Sequence, residues 1–132
     1  MRSRLLILFL FTSLTCCTQT DKYVGEYIKK GSGIKQLYKL TLNSNGTFEF
    51  EQHWAQVGMS NETQDTGIEK GKGVWTFENK LIMLSCNNET DITQDYRLDF
   101  DDTEVRIIND SIIRFVKSKL FWVENMELKK KM

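Results

Sequence analysis

The chain has 132 residues, which is the length of a single domain with one hydrophobic core. Its 18 basic and 18 acidic residues balance. No broad basic surface therefore argues for a nucleic-acid partner, and no acidic excess argues for disorder. The sequence contains no proline, so glycine, asparagine and aspartate must supply the turns.

The first 16 residues have the three-part layout of a secretory signal peptide. Met1 to Arg4 is short and basic, Leu5 to Leu14 is almost wholly apolar, and polar residues begin at Thr15. The apolar run is too short to span a bilayer comfortably. A buried core helix would normally have one polar stripe, which this run lacks. We therefore predict that residues 1–16 are a signal peptide.

Two adjacent cysteines, Cys16 and Cys17, follow the apolar run. Adjacent cysteines lack the spacing of a zinc or redox motif, in which intervening residues let both sulfurs converge. The stretch Leu14-Thr15-Cys16-Cys17 resembles the lipobox of bacterial lipoproteins, in which leucine and two small residues precede the cysteine that becomes the new N-terminus. Cys17 fits this pattern better than Cys16, because Leu14 stands three residues before it. The resemblance implies that Cys17 carries a diacylglyceryl thioether and an N-acyl group, and several acyl chains make membrane attachment stable.

On this interpretation residues 17–22 are a lipidated N-terminus with a short polar tether, and residues 23–132 form the folded domain. The predicted location is the cell envelope. The lipid anchor is expected in a membrane, with the outer membrane favoured, and the domain is expected in the periplasm or at the cell surface. Cys86 then remains as a lone thiol in an exported protein, which favours burial in a strand over a disulfide. A pairing of Cys86 with Cys16 or Cys17 requires that lipidation fails.

After the tether, short runs of alternating apolar and polar residues predict β-strands divided by turns. The clearest is a hairpin at Asn45-Gly46, because Asn-Gly tolerates the positive φ of tight hairpin turns. With an opening strand at YVGEYI, about nine strands follow one another. Other strand pairs are predicted around Glu78-Asn79-Lys80, around Asp101-Asp102 and around Lys117-Ser118-Lys119.

These elements predict an all-β fold, since no segment after residue 22 has a persuasive helical stripe. Short sequential hairpins with one apolar face indicate an antiparallel up-and-down meander. Closing that meander removes the exposed edges that would otherwise aggregate. The predicted architecture is therefore a closed barrel of about eight or nine strands.

One predicted connection is longer than the others. Between Trp54 and Val74 lies AQVGMSNETQDTGIEKGKG, which is mostly polar and rich in glycine. A connection of that length in a compact domain is usually a functional lid or a surface loop. We predict a mobile surface loop over residues 55–73, part of which extends the flanking strands, with a functional lid as the alternative.

Four segments, VGEY, LTLNSNGTFEF, GKGVWTF and KLIMLSC, together resemble the small lipocalin-like lipoproteins of Bacteroidetes-type bacteria. The resemblance covers roughly residues 23 to 86 and implies a lipocalin-like barrel, but turn glycines and inward aromatics imply no particular activity. The stretch KKGSGIKQLYKLTLNSNGTFEF is also similar to the N-terminal barrel of the copper-homeostasis and adhesion-sensing lipoprotein family. That family has a Cys-x-x-Cys pair where this chain has Lys30-Gly31-Ser32 and its neighbours, and soft thiolates are what select copper(I) or zinc. We therefore expect no metal site.

Residues suited to catalysis are scarce. His53 is the only histidine, and the alternation puts it on the polar side of its strand, where a solvated imidazole is expected. Glu49 and Glu51 share the outer face of the same strand, whereas a catalytic carboxylate pair needs one member in an apolar pocket. No Ser-His-Asp set, phosphate loop or supported Cys-His dyad can be placed. We predict that the protein is not an enzyme and has no cofactor.

Aromatic residues on the predicted strands are the candidates for a ligand pocket. A barrel of about eight strands is either filled by side chains or holds one small apolar ligand. Core packing is favoured, because a small domain needs its aromatics for stability. The candidate pocket lining is Trp54, Trp75, Phe77, Tyr96, Phe115 and Trp122.

Two functions follow from these features. The first is a membrane-anchored, monomeric binding barrel for a small hydrophobic ligand. The alternative is a protein-interaction or envelope-assembly module that uses the 55–73 segment and the barrel rim. Two weaker signals are the run Lys129-Lys130-Lys131, which is either a solvated terminus or a site for anionic lipid, and Asp110-Ser111-Ile112, which resembles an O-glycosylation acceptor.

Overall fold

The computed structural model describes residues 21–30, 37–57 and 63–131, and it describes the backbone alone at residues 54–57 and 63–66. The predicted signal peptide, Cys17 and the first residues of the tether lie outside the described residues. The described residues form eight strands: β1 Gly25–Lys30, β2 Leu37–Leu42, β3 Thr47–Val57, β4 Thr63–Glu78, β5 Leu81–Ser85, β6 Thr103–Ile107, β7 Ile112–Lys117 and β8 Glu127–Lys130.

The strands form one closed antiparallel barrel in chain order, with β8 returning to β1. The prediction of an all-β up-and-down barrel of eight or nine strands is therefore confirmed. We call the end where β1 begins and β8 ends the proximal end. It also carries the turns that join β2 to β3, β4 to β5 and β6 to β7. The opposite, distal end carries residues 86–102, between β5 and β6, and residues 118–126, between β7 and β8.

The hairpin predicted at Asn45-Gly46 is present at the proximal end. Gly46 has a φ of 88°, which is a left-handed conformation that glycine adopts without strain. The Asn45 side-chain oxygen accepts a hydrogen bond from the Thr47 amide at 3.1 Å, and the Asn43 amide donates to the Thr47 carbonyl at 2.9 Å. These bonds fix the turn and with it the β2–β3 register.

The prediction of a mobile loop over residues 55–73 is wrong for the residues that the structure describes. β3 continues to Val57 and β4 begins at Thr63, and the two strands pair along this whole length, with a bulge between Trp54 and Ala55. The predicted extension of the flanking strands is present, and it covers all of this segment that the structure describes. Alternation failed as a signal here because inward positions of β4 are occupied by glycine, which carries no apolar side chain.

Two other predicted strands are placed differently. The segment before Asp101 is not a strand, although Leu98 and Phe100 are buried in the core. The segment after Lys119 forms a short 3-10 helix, Phe121–Val123, and the last strand begins only at Glu127. Leu98 and Phe100 of the first segment and Val123 of the second face the core although neither segment is part of a strand.

Four phenylalanine rings pack together in the centre of the barrel. Phe100 lies 4.6 Å from Phe50, 5.9 Å from Phe48 and 6.2 Å from Phe115, measured between ring centroids. All four side chains are fully buried. Gly71 makes room for this cluster, because a Cβ at that position would lie 2.7 Å from the Phe100 ring. The centre of the barrel is therefore occupied by aromatic side chains.

Among the described residues, no helix is both long enough and apolar enough to cross a membrane.

Candidate functional site

Three of the six aromatic residues predicted to line a pocket are part of the packed interior. Trp75 is buried, and its indole N–H donates to the Asn43 carbonyl at 2.9 Å, which ties β4 to the proximal β2–β3 turn. Phe115 belongs to the central cluster. Phe77 is partly buried and lies 4.8 Å from the Tyr23 ring, between centroids. These contacts stabilise the barrel and brace the start of β1.

The other candidates lie elsewhere. Tyr96 lies on the outer surface, where the ammonium groups of Lys72 and Lys70 approach its ring centroid to 4.7 Å and 5.9 Å. Trp122 lies at the distal end and is 38% exposed. The side chain of Trp54 lies outside the described residues. Trp122, which the sequence predicted to line a pocket, therefore lies at the surface of the distal end.

Phe121 and Trp122 together form an exposed aromatic pair at the distal end. Phe121 is 80% exposed, and the two rings meet edge to face with centroids 5.3 Å apart. A single exposed apolar residue is ordinary, but two adjacent exposed aromatic rings form a small apolar patch, and exposed apolar patches can mark interaction surfaces. We refer to these two residues as the aromatic pair.

The backbone on the C-terminal side of the aromatic pair is held in place by burial and hydrogen bonds. Val123 and Met126 are buried, and the Met126 amide donates to the Val123 carbonyl at 3.0 Å. Asn125 adopts a φ of 66°, and its amide donates to the Phe115 carbonyl at 2.7 Å. The aromatic pair is thus presented outward by a tightly bonded segment, because the residues on its C-terminal side anchor it in the core.

The aromatic pair also contacts the long β3–β4 hairpin. The Trp122 indole N–H donates to the Gln52 side-chain oxygen at 2.8 Å, across the top of the barrel. Among the described residues, β2 pairs with β3 from Leu42 to Leu37, which lies opposite His53, and the β3–β4 ladder continues to Val57. Through its contact with Gln52, the aromatic pair lies beside the base of the β3–β4 hairpin.

A groove lies along the β4 side of the same hairpin. It has a volume of about 630 Å³ and is lined by residues 67–70 of β4 and by residues 94–97. Ile68 is 51% exposed on this strand. Below the groove, the Leu98 amide donates to the Lys70 carbonyl at 3.0 Å, which closes the space between β4 and the following chain.

His53 lies on the outer face of β3, as predicted, with its side chain about one-third exposed. Its Nε2 lies 3.1 Å from the Glu51 carboxylate, and this hydrogen bond is the main reason that the pKa of Glu51 is lowered. Lys39 approaches the same carboxylate to 3.5 Å. The three residues form a partly exposed network of charged and polar side chains on the outer face of the sheet. This network links β2 to β3.

Cys86 follows β5 directly and is half-buried, with a free thiol. Its thiol donates to the Lys72 carbonyl at 3.1 Å, and burial raises the pKa of Cys86 to about 11. A protonated, hydrogen-bonded thiol is a poor nucleophile and a poor metal ligand. Within the described ranges, no group of three or more His, Cys, Asp or Glu side chains is arranged to hold a metal ion.

Phe121 and Gln52 were not identified as site residues from the sequence. One signal was available for Phe121, because it stands directly before Trp122, and neighbouring residues of a strand point to opposite faces. Two large aromatics in succession therefore indicate either one exposed ring or an irregular segment, and here both are present. Nothing in the sequence links Gln52 to Trp122, since 70 positions separate them.

No protein-family model, curated protein or solved structure gives a significant match to this chain.

Proposed function

We propose that this protein is a lipid-anchored protein of the cell envelope, and that its barrel is a non-enzymatic module that binds another envelope protein. The observation that carries this proposal is the aromatic pair, in which Phe121 is 80% exposed on a well-ordered backbone. Exposed aromatic side chains that are held rigid are typical anchors of protein–protein interfaces. The contacting surface consists of the aromatic pair and the base of the β3–β4 hairpin.

The alternative of a small hydrophobic ligand inside the barrel has less support. The rings of Phe48, Phe50, Phe100 and Phe115 occupy the centre and contact one another. A ligand of drug-like size needs about 300 Å³ or more of enclosed space. A ligand of that size could enter the centre of the barrel only if several of these fully buried side chains moved.

The positions of the N-terminus and the aromatic pair at opposite ends of the barrel support the same proposal. The described residues begin at Asp21 on the proximal end, four positions after Cys17, and the aromatic pair lies at the opposite end of the barrel. An acylated Cys17 would therefore attach the proximal end to the membrane. The distal end would then face the compartment in which a partner protein is available.

The lipid anchor is tested by intact mass spectrometry of the protein purified from membranes. We expect the mature chain to begin at an acylated Cys17. We expect Cys17→Ala to leave an unacylated precursor with all of the acyl mass lost, because the thioether requires the Cys17 sulfur. Cys16→Ala is the matched control and should be acylated normally. An unmodified Cys17, or cleavage at another position, contradicts the anchor.

The distal interface is tested by photo-crosslinking in cells. Replacing Phe121 with the photoreactive p-benzoylphenylalanine should give one discrete crosslinked envelope protein, since the exposed ring position is at the centre of the proposed contact. The same replacement at Ile108, an exposed residue at the proximal end, is the matched control and should not give that product. Equal crosslinking from both positions, or from Ile108 alone, contradicts the assignment.

A further inference from the structure

Lysine residues surround the point where the chain enters the barrel. The Lys130 ammonium group donates to the Lys22 carbonyl at 3.0 Å, just before β1 begins. The Lys131 amide donates to the Glu26 carbonyl at 2.8 Å, and the Lys130 amide donates to the Ser111 carbonyl, so the end of β8 is fixed between β1 and the β6–β7 turn. We call the four residues Lys22, Lys129, Lys130 and Lys131 the proximal lysines.

The proximal lysines give this end of the molecule a positive charge. Among the described residues, the proximal end carries five basic residues, which are the proximal lysines and Lys80, and four acidic residues, which are Asp21, Glu26, Glu78 and Asp110. Glu26 lies 3.9 Å from the Lys131 ammonium group. Lys22, Lys129 and Lys131 are exposed. The net charge of this end is therefore +1.

The distal end has the opposite charge. Residues 86–102, which join β5 to β6, contain six acidic residues and one basic residue, Arg97. The acidic residues are Glu89, Asp91, Asp95, Asp99, Asp101 and Asp102. The barrel is therefore polarised along its axis, with its basic end where the tether begins.

The reach of the tether places the proximal lysines close to any membrane that holds Cys17. Asp21 lies four positions after Cys17, and a fully extended chain over four positions spans at most roughly 14 Å. Interactions between exposed charges persist over about 8–10 Å at ordinary ionic strength. Anionic headgroups attract lysines near the bilayer surface, and a tether of this length allows the proximal lysines to approach the surface to within that range.

We propose that the proximal lysines bind the anionic headgroups of the membrane that holds the lipid anchor, and that this contact orients the barrel with its distal end away from the bilayer. The inference rests on the proposed lipid anchor and adds a second membrane contact to it. Its occupant is a bilayer, because the basic residues adjoin the tether and match the charge of anionic phospholipids. The acidic residues 86–102 are repelled from the same surface, which reinforces the orientation.

The test is a lysine-acetylation footprint of the acylated protein reconstituted in vesicles. Vesicles of phosphatidylcholine alone are compared with vesicles that also contain phosphatidylglycerol, and the acetylation rate of each lysine is followed by mass spectrometry. In the anionic vesicles we expect acetylation of Lys22 and Lys131 to slow about fivefold, which corresponds to the usual strength of one lysine at an anionic surface. Lys117 and Lys119, exposed at the distal end, are internal controls and should not change.

Two triple variants separate this contact from nonspecific attraction. Lys22→Gln with Lys129→Gln and Lys131→Gln should remove the protection of Lys130 by anionic lipid, because the local positive charge is lost. The matched variant, Lys30→Gln with Lys117→Gln and Lys119→Gln, removes as many charges from the distal end and should leave that protection intact.

Flotation of the vesicles keeps the two proposals distinguishable. A protein that floats with both vesicle types but shows equal Lys22 and Lys131 rates in them overturns the orientation and leaves the lipid anchor standing. Protection of Lys117 and Lys119 in place of the proximal lysines overturns it as well. A wild-type protein that fails to float contradicts the anchor, and the orientation falls with it.

Discussion

Replacing Phe100 with alanine is expected to lower the free energy of unfolding by about 3–5 kcal/mol, which is the usual cost of removing a fully buried ring. The Phe100 side chain is completely buried and contacts Phe48, Phe50 and Phe115. It comes from a segment without strand pairing of its own. Its ring therefore fixes residues 95–101 to the barrel in addition to filling the centre.

Urea unfolding of the purified protein, followed by intrinsic fluorescence, measures this effect. Phe121→Ala is the matched control, since it makes the same chemical change at a ring that is 80% exposed, and it should stay within about 0.5 kcal/mol of wild type. Phe100→Leu should fall between the two, because it keeps most of the buried volume. If Phe100→Ala proves as mild as Phe121→Ala, the central cluster is not the main source of stability.

Replacing Gly73 with alanine is expected to cost about 2–3 kcal/mol by overpacking, although it adds a single methyl group. A Cβ at Gly73 would overlap the Ser85 carbonyl oxygen and lie 2.8 Å from a ring carbon of Phe48. Ser85 pairs with Val74 in the β4–β5 ladder, so relief would require separating two strands. The unfolding free energy from urea titration is again the readout, and wild-type stability of Gly73→Ala contradicts this close approach.

Gly71→Ala provides a comparison with a different neighbour. Its Cβ would meet the edge of the Phe100 ring at 2.7 Å, and a ring can shift more easily than a strand. Combining Gly71→Ala with Phe100→Ala should therefore restore part of the stability that the separate costs would remove. The coupling free energy from this double-mutant cycle should be at least about 0.5 kcal/mol, as for residues in direct contact. Strict additivity would place the two residues out of contact.

The sequence was sufficient wherever local chemistry alone determines the backbone. The β2–β3 hairpin depends on Asn45 and Gly46, whose turn preference does not require the rest of the fold. The closed barrel follows from short alternating runs joined by such turns. The 55–73 segment was misjudged because Gly71 and Gly73 replace the apolar residues that normally mark inward positions. Glycine is needed at these two positions because the rings of Phe100 and Phe48, which come from other parts of the chain, lie against them.

Alternation was also present where no strand exists. Leu98 and Phe100 point inward at every second position, as strand residues do, but the main hydrogen bond of this segment is a single one from Leu98 to Lys70. Burial of alternate residues is thus compatible with an irregular segment that lies against the sheet. Only the pairing partner distinguishes the two arrangements, and pairing is a property of the whole fold.

The candidate site was predictable in part. Trp122 was identified as an aromatic of interest, but its exposure depends on the 3-10 helix that ends at Val123. The contact between Trp122 and Gln52 joins β3 to the connection after β7. Such a contact arises only when the barrel brings distant segments to the same rim. The sequence therefore shows which aromatic and polar residues are available, and the barrel topology determines which of them come into contact.

The seam between β1 and β8 has a consequence for how the barrel forms. It consists of two paired positions, Tyr27 with Lys130 and Ile28 with Lys129, which join residues about 100 positions apart. Contacts of such separation form late in folding, because the entropy of closing a long loop must be overcome first. The sheet therefore remains open along this edge until β8 pairs with β1. During that interval β1 is an edge strand, paired with β2 on one side only, and the speed of closure sets how long that edge is exposed to aggregation.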